Sequence, residues 1–101
     1  MTSFQSQCYK ALKKVPSGKV ITYSGLAEMV GRPQAHRAVG NAMNKNPFAP
    51  QVPCHRVVKS NGDLGGFDGG SRLKIKRLQE EGVKVSNNKI VNFQLVLFKT
   101  S

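Results

Sequence analysis

The 101 residues spell out a mainly α-helical, winged helix-turn-helix-like domain with short β elements and a C-terminal hairpin. Apolar residues recur at helical spacing in successive stretches. Two of those stretches are short and are joined by a tight, glycine-containing break, as in a helix-turn-helix pair. Near the C-terminus, Asn87-Asn88 separates two extended segments as a hairpin turn does, and such a ribbon can lie beside the helices as a wing.

The first helix is expected from about Ser3 to Lys14. Phe4, Cys8, Ala11, Leu12 and Val15 fall at offsets of 4, 7, 8 and 11, forming one stripe. Ser3 is placed to cap its start, and Pro16-Ser17-Gly18 stops it. Cys8 lies on that stripe and reads as core filling. Lys19 to Thr22 is a short extended piece. A second helix runs to about Val30, capped by Thr22 or Ser24, with Leu26, Ala27 and Val30 inward. Gly31 suits the left-handed position that follows, and Pro33 the first turn of a third helix ending near Asn44. This third helix buries Ala35, Ala38, Val39, Ala42 and Met43, while His36, Arg37, Gly40, Asn41 and Asn44 lie opposite.

Asn46-Pro47 ends that helix, and an irregular approach leads to Pro53-Cys54-His55-Arg56-Val57-Val58. A glycine-rich loop from Lys59 to Gly70 follows, then a fourth helix from Ser71 to Glu81, closed by Gly82. The hairpin pairs Val83 to Val85 with Ile90 to Phe98. The chain has no internal repeat, and its length suits one domain over residues 1–101 with one modest core.

Sixteen Lys and Arg against five acids give a net charge of +11. So lopsided a field on so small a body attracts polyanions, and nucleic acid is the favoured partner. The basic residues are spread along the chain instead of gathering on one amphipathic helix, which disfavours a membrane surface. No stretch approaches the roughly 20 apolar residues that span a bilayer. The N-terminal residues Met1 to Gln5 lack a secretory pattern, so an intracellular location is expected, cytoplasmic or, in a eukaryote, nuclear. The outer face of the third helix carries no acid. Gly40 in its middle costs about 1 kcal/mol relative to alanine, which points to close approach by the first helix or by a nucleic-acid backbone.

Two cysteines, Cys8 and Cys54, are too few for a disulfide framework or, with His36 and His55, for a closed zinc site; no metal and no cofactor are expected. Cys54 stands apart from any periodic apolar face, directly before His55 and Arg56 and near Lys59. Basic neighbours of this kind support a thiolate nucleophile. A cysteine protease would need a larger body, and a redox pair would need a second cysteine close by. Gly65 to Gly70 lacks the Gly-Lys-Ser/Thr ending of a phosphate loop and reads as a substrate-shaping segment. Glu81 in the last turn of its helix opposes the macrodipole, an irregularity that often marks a functional position.

Pro53-Cys54-His55-Arg56-Val57 resembles the active-site signature of the O6-alkylguanine-DNA alkyltransferases. The similarity extends in order from about Phe4 to Gly82 through Ile21-Thr22-Tyr23, Arg37-Ala38-Val39-Gly40, Asn46-Pro47, Gly69-Gly70 and Glu81-Gly82. It corresponds to the family's C-terminal catalytic domain alone. The resemblance implies direct damage reversal on double-stranded DNA, with Cys54 accepting the alkyl group once and irreversibly. It further implies that His55 takes the thiol proton through a water, that Glu81 orients His55, that Asn46 braces the turn and that Tyr23 donates to the leaving base. Arg37 would fill the space of the flipped nucleotide, within a DNA-facing set of Tyr23, Arg37, Ala38, Gly40, Asn41 and Arg56. Met43, Val57, Phe67, Asp68 and Lys74 would line the substrate pocket. The chain departs from the family at Phe67-Asp68, where a tyrosine and a small residue are usual. A monomer is expected.

Two rival readings stay open. Alkyltransferase-like proteins share this size and grip alkylated DNA without repairing it, recruiting other factors, but they usually replace the cysteine. A winged-helix transcription factor accounts for charge and helices and leaves the cysteine signature unexplained.

Overall fold

A computed structural model describes residues 2–49, 51–64 and 70–99. Four helices form its body: α1 (Ser3–Leu12), α2 (Tyr23–Met29), α3 (His36–Asn44) and α4 (Gly70–Glu80). The short strands β1 (Ile21–Thr22) and β2 (Val57–Val58) pair in parallel, Ile21 opposite Val57. The hairpin β3 (Val85–Ser86) and β4 (Lys89–Ile90) is antiparallel, and a four-residue helix α5 (Phe93–Val96) follows. The expected helix-turn-helix class is what the chain adopts, with α2 and α3 packed together.

Thr2, not Ser3, caps α1. Its hydroxyl accepts from the Gln5 amide while the Gln5 side chain accepts from the Thr2 amide, a reciprocal capping box. Thr22 caps α2 by accepting from the Gly25 amide. The third helix is shorter than its apolar pattern implied. Ala35 donates back to the Arg32 carbonyl, so Pro33 sits in a turn and helical geometry starts at His36. Ala38 is consequently exposed, and the buried stripe is Val39, Ala42 and Met43.

The expected long last strand is also corrected. Asn87 and Asn88 both have positive φ, as a tight two-residue hairpin turn requires, but the second strand stops at Ile90. Asn92, again at positive φ, redirects the chain into α5. Residues 96–98 then run beside Val20, which donates to the Val96 carbonyl and accepts from the Phe98 amide.

Two apolar clusters share the parallel pair as a seam. Ile21 and Val57 face the cluster of α1, α2 and α3 with Leu12, Leu26 and Val39. Their neighbours Val20 and Val58 face the other, with Leu64, Leu78, Val83 and Ile90. Strand alternation alone produces this division, since successive side chains point to opposite faces. The residues immediately before β2 are therefore held at the junction of both clusters, and Cys54 is among them.

Candidate functional site around Cys54

The approach to Cys54 is a chain of tight turns. Pro53 has φ −82° and ψ 69°, and the Cys54 amide donates across it to the Val52 carbonyl at 2.9 Å, an inverse γ-turn. Cys54–Arg56 then form one 3-10 turn, closed by the Arg56 amide on the Pro53 carbonyl at 2.9 Å. Asn46 secures this path from outside. Its Nδ2 donates to the same Val52 carbonyl at 2.8 Å, and its Oδ1 accepts from the Phe48 amide at 2.9 Å. One carbonyl thus receives both Asn46 and Cys54, and Cys54 ends half-buried against the helical core.

His55 is 5% exposed, the one buried polar or charged side chain among the described residues. Its Nε2 lies 3.0 Å from Glu81 Oε2. A carboxylate only accepts, so Nε2 carries the hydrogen, and Nδ1 presents its lone pair. Among the described residues Nδ1 has no protein partner. Burial pushes the His55 pKa below its usual value, against the hydrogen bond and charge of Glu81. Burial also pushes Glu81 upward, but hydrogen bonds from Arg56 and His55 and their charges outweigh it, leaving its carboxyl below the ordinary range. A neutral imidazole backed by an ionised carboxylate is the result.

Arg56, expected in the DNA-facing set, is turned inward. Its Nε donates to Glu81 Oε1 at 2.9 Å, its Nη2 to Glu81 Oε2 at 2.5 Å and its Nη1 to the Val15 carbonyl at 2.7 Å. With three of its five N–H groups so engaged, the guanidinium ties Val15, just beyond α1, to Glu81, just beyond α4. The same contacts explain the charge at the end of α4. Two basic partners, not the helix dipole, set the environment of Glu81.

Lys74 reaches across from α4. Its Nζ donates to the Val57 carbonyl at 2.6 Å and stands 5.9 Å from the Tyr23 ring centroid. Burial lowers its pKa to about 8, opposed by the nearby Cys54. Burial, and then Cys54, raise the Tyr23 phenol, which keeps it a protonated donor. Val57 is fully buried, and Met43 lies in the core against which Cys54 packs. Arg37, Ala38 and Asn41 are exposed along α3, and Gly40 is half-buried, with Tyr23 the nearest neighbour of any added Cβ at 4.0 Å. Phe67, Asp68 and Gly69, within the expected substrate-shaping segment, lie outside the described residues. Cys8 is wholly buried and its thiol pushed up by burial, consistent with core filling.

Some features had no clear sequence signal. The Tyr9 hydroxyl, off the predicted stripe, donates to the Ala42 carbonyl at 2.8 Å and locks α1 to α3. A tyrosine one residue beyond an apolar position was the available clue. Among the described residues no group of three His, Cys, Asp or Glu could hold a metal ion.

The DNA-binding domain of 6-O-methylguanine DNA methyltransferase matches residues 3–83. The chain belongs to this family. It is 47% identical over 81 residues to the methylated-DNA–protein-cysteine methyltransferase of Methanosarcina acetivorans, covering 80% of this chain and 52% of that protein. It is 50% identical over 80 residues to the methyltransferase of the same name from Metallosphaera sedula, covering 79% and 49%. This member of the family therefore spans about half the length of the curated relatives it matches. Among solved structures it resembles S. pombe Atl1 in complex with damaged DNA containing O6-carboxymethylguanine, with TM-score 0.86 and 35% identity over 98% of this chain and 97% of that one. It also resembles Mycobacterium tuberculosis OGT in complex with DNA, with TM-score 0.76 and 43% identity over 80% and 50%. No helix among the described residues is long and apolar enough to cross a membrane.

Proposed function

We propose that this domain reverses alkylation damage directly, moving the alkyl group from O6 of guanine in double-stranded DNA to Cys54 Sγ. The observation that carries the reading is the His55–Glu81 contact beside Cys54, which leaves His55 Nδ1 as the free base. In the reaction a bond forms between Sγ and the alkyl carbon as the bond from that carbon to O6 breaks. The thiol proton passes through a bridging water to Nδ1, and Glu81 stabilises the imidazolium. Negative charge develops on the leaving guanine, and the Tyr23 hydroxyl donates to its ring. The stacked base must first turn out of the duplex, at a cost of a few kcal/mol, and Arg37 on the exposed face of α3 fills its place. The product thioether has no group nearby able to cleave it, so each molecule acts once.

Asn46 and the Val52 carbonyl act by holding Cys54 in place. Arg56 acts through Glu81. Because the thiol is itself the acceptor, the proposed reaction draws on no cofactor.

One observation favours a second reading. The similarity to S. pombe Atl1 runs over nearly the whole of both chains. On that reading the domain is alkyltransferase-like: it holds O6-alkylguanine DNA and recruits other repair factors without transfer. Intact mass after mixing with O6-methylguanine duplex separates the two. A gain of one methyl, mapped to Cys54, is the expected result; tight binding with unchanged mass selects the second reading.

A further inference from the structure

A cavity of about 440 Å³ opens between α1 and the residues Pro47, Phe48, Gln51 and Val52. Its volume falls within the roughly 300–1,000 Å³ of small-ligand sites. The floor is aromatic. Phe48 is 44% exposed and meets Tyr9 edge-on, with ring centroids 6.1 Å apart and planes at 80°. Lys10 and Lys13, both exposed, stand on the α1 rim, and Ser6 and Gln51 add neutral hydrogen-bonding groups. Among the described residues no carboxylate lines the cavity.

We infer that this groove is a second nucleic-acid subsite, one that takes an unpaired nucleotide of a DNA single strand. An exposed aromatic ring beside two lysines with no ion-pair partner among the described residues matches a base and its flanking phosphates, the combination that binds single strands without sequence preference. In a paired duplex both faces of each base are already stacked, so Phe48 has no partner there. In sequence the groove wall begins just after α3, whose exposed side carries Arg37 and Asn41. An acidic peptide would satisfy the lysines and leave Phe48 unused. The inference rests on the proposed function only for the class of ligand; the alkyl-transfer chemistry plays no part in it.

The chain contains no tryptophan, so Phe48→Trp places a sole indole in the groove. Titrating this variant with an unmodified thymidine octamer should quench the indole saturably. Adding Lys10→Gln and Lys13→Gln should weaken that binding about tenfold and reduce the slope of log K against log salt by about 1.4, at 0.7 per phosphate contact. In the unmodified protein, the amides of Ser6, Lys10, Lys13 and Gln51 should shift in heteronuclear NMR spectra on adding the octamer, a readout independent of any variant's folding. Absent quenching, affinity indifferent to the two lysines, amides that stay put, or equal quenching by polyglutamate would each overturn the subsite. Methyl transfer to Cys54 is read separately by intact mass. Its failure with the groove titration intact would defeat the proposed reaction and leave this site standing.

Discussion

Glu81 Oε2 lies 3.0 Å from His55 Nε2 and 2.5 Å from Arg56 Nη2, so one carboxylate oxygen serves the imidazole and the guanidinium together. Replacing it by Glu81→Gln leaves Arg56 partly buried without a counter-charge and His55 without support for its proton. Fold stability should fall by about 2–3 kcal/mol, below the range for a fully buried pair because the groups are partly exposed. Transfer at neutral pH should slow by about tenfold or more, with a changed dependence of rate on pH. An unchanged rate–pH profile would remove Glu81 from the mechanism.

Acid should expose the same pair. His55 and Glu81 both hold pKa values below their ordinary 6.5 and 4.5. As pH falls, the unfolded chain takes up each proton before the folded one does, so the stability these groups contribute is lost downward from about 6.5. Urea midpoints from pH 7.5 to 4 should show this fall, and His55→Asn should flatten its upper part. A wild-type midpoint constant down to pH 5 contradicts the assignment.

Lys74 predicts the opposite limb. Its folded pKa of about 8 lies below the ordinary 10.5. Between those values the folded protein has released a proton that the unfolded chain still binds, so this group's contribution to stability improves as pH rises from 8 toward 10.5. Subtracting the Lys74→Met profile from that of the wild type isolates the effect, expected at up to about 2–3 kcal/mol. A flat difference curve would mean that the ammonium is not held in this buried position.

The two thiols should behave unlike one another. Cys8 is fully buried, whereas Cys54 is partly open. Iodoacetamide on the native protein should label Cys54 and spare Cys8, with peptide mass mapping as the readout. Cys54→Ala should abolish methyl transfer while duplex affinity changes little, because the thiol supplies reactivity and not grip. Methyl appearing on Cys8 in that variant would show that the acceptor has been misplaced.

At Gly40 stability and DNA affinity should part company. An added Cβ meets nothing nearer than Tyr23 at 4.0 Å, so Gly40→Ala should gain about 1 kcal/mol of helix propensity and raise Tm by about 4–8 °C. If a DNA backbone approaches this face closely, affinity for the damaged duplex should drop in the same variant. Higher stability with unchanged affinity would place the duplex elsewhere.

Features governed by near neighbours were legible in the residues. The stripe of α1, a cap of α2 at Thr22 or Ser24 (it is Thr22) and the Asn87-Asn88 turn each depend on a few consecutive side chains and their backbone preferences. That Cys54 stands apart from the periodic apolar faces was legible too, and it is half-buried while Cys8 is fully buried. Local rules failed where a competing local signal was subtle. Asn92 ended what alternation read as a strand, and the turn at Arg32–Ala35 delayed α3 and exposed Ala38. The inward turn of Arg56 could not be read at all, since its partners Val15 and Glu81 lie 41 and 25 residues away. Nor could the bond from Lys74 to the Val57 carbonyl, or the parallel pairing of Ile21 with Val57 that seats the Cys54 turn between two clusters. Backbone periodicity is a property of neighbours in the chain. Which charge a guanidinium finds, and which carbonyl a buried ammonium reaches, depends on distances that exist only once the elements have packed.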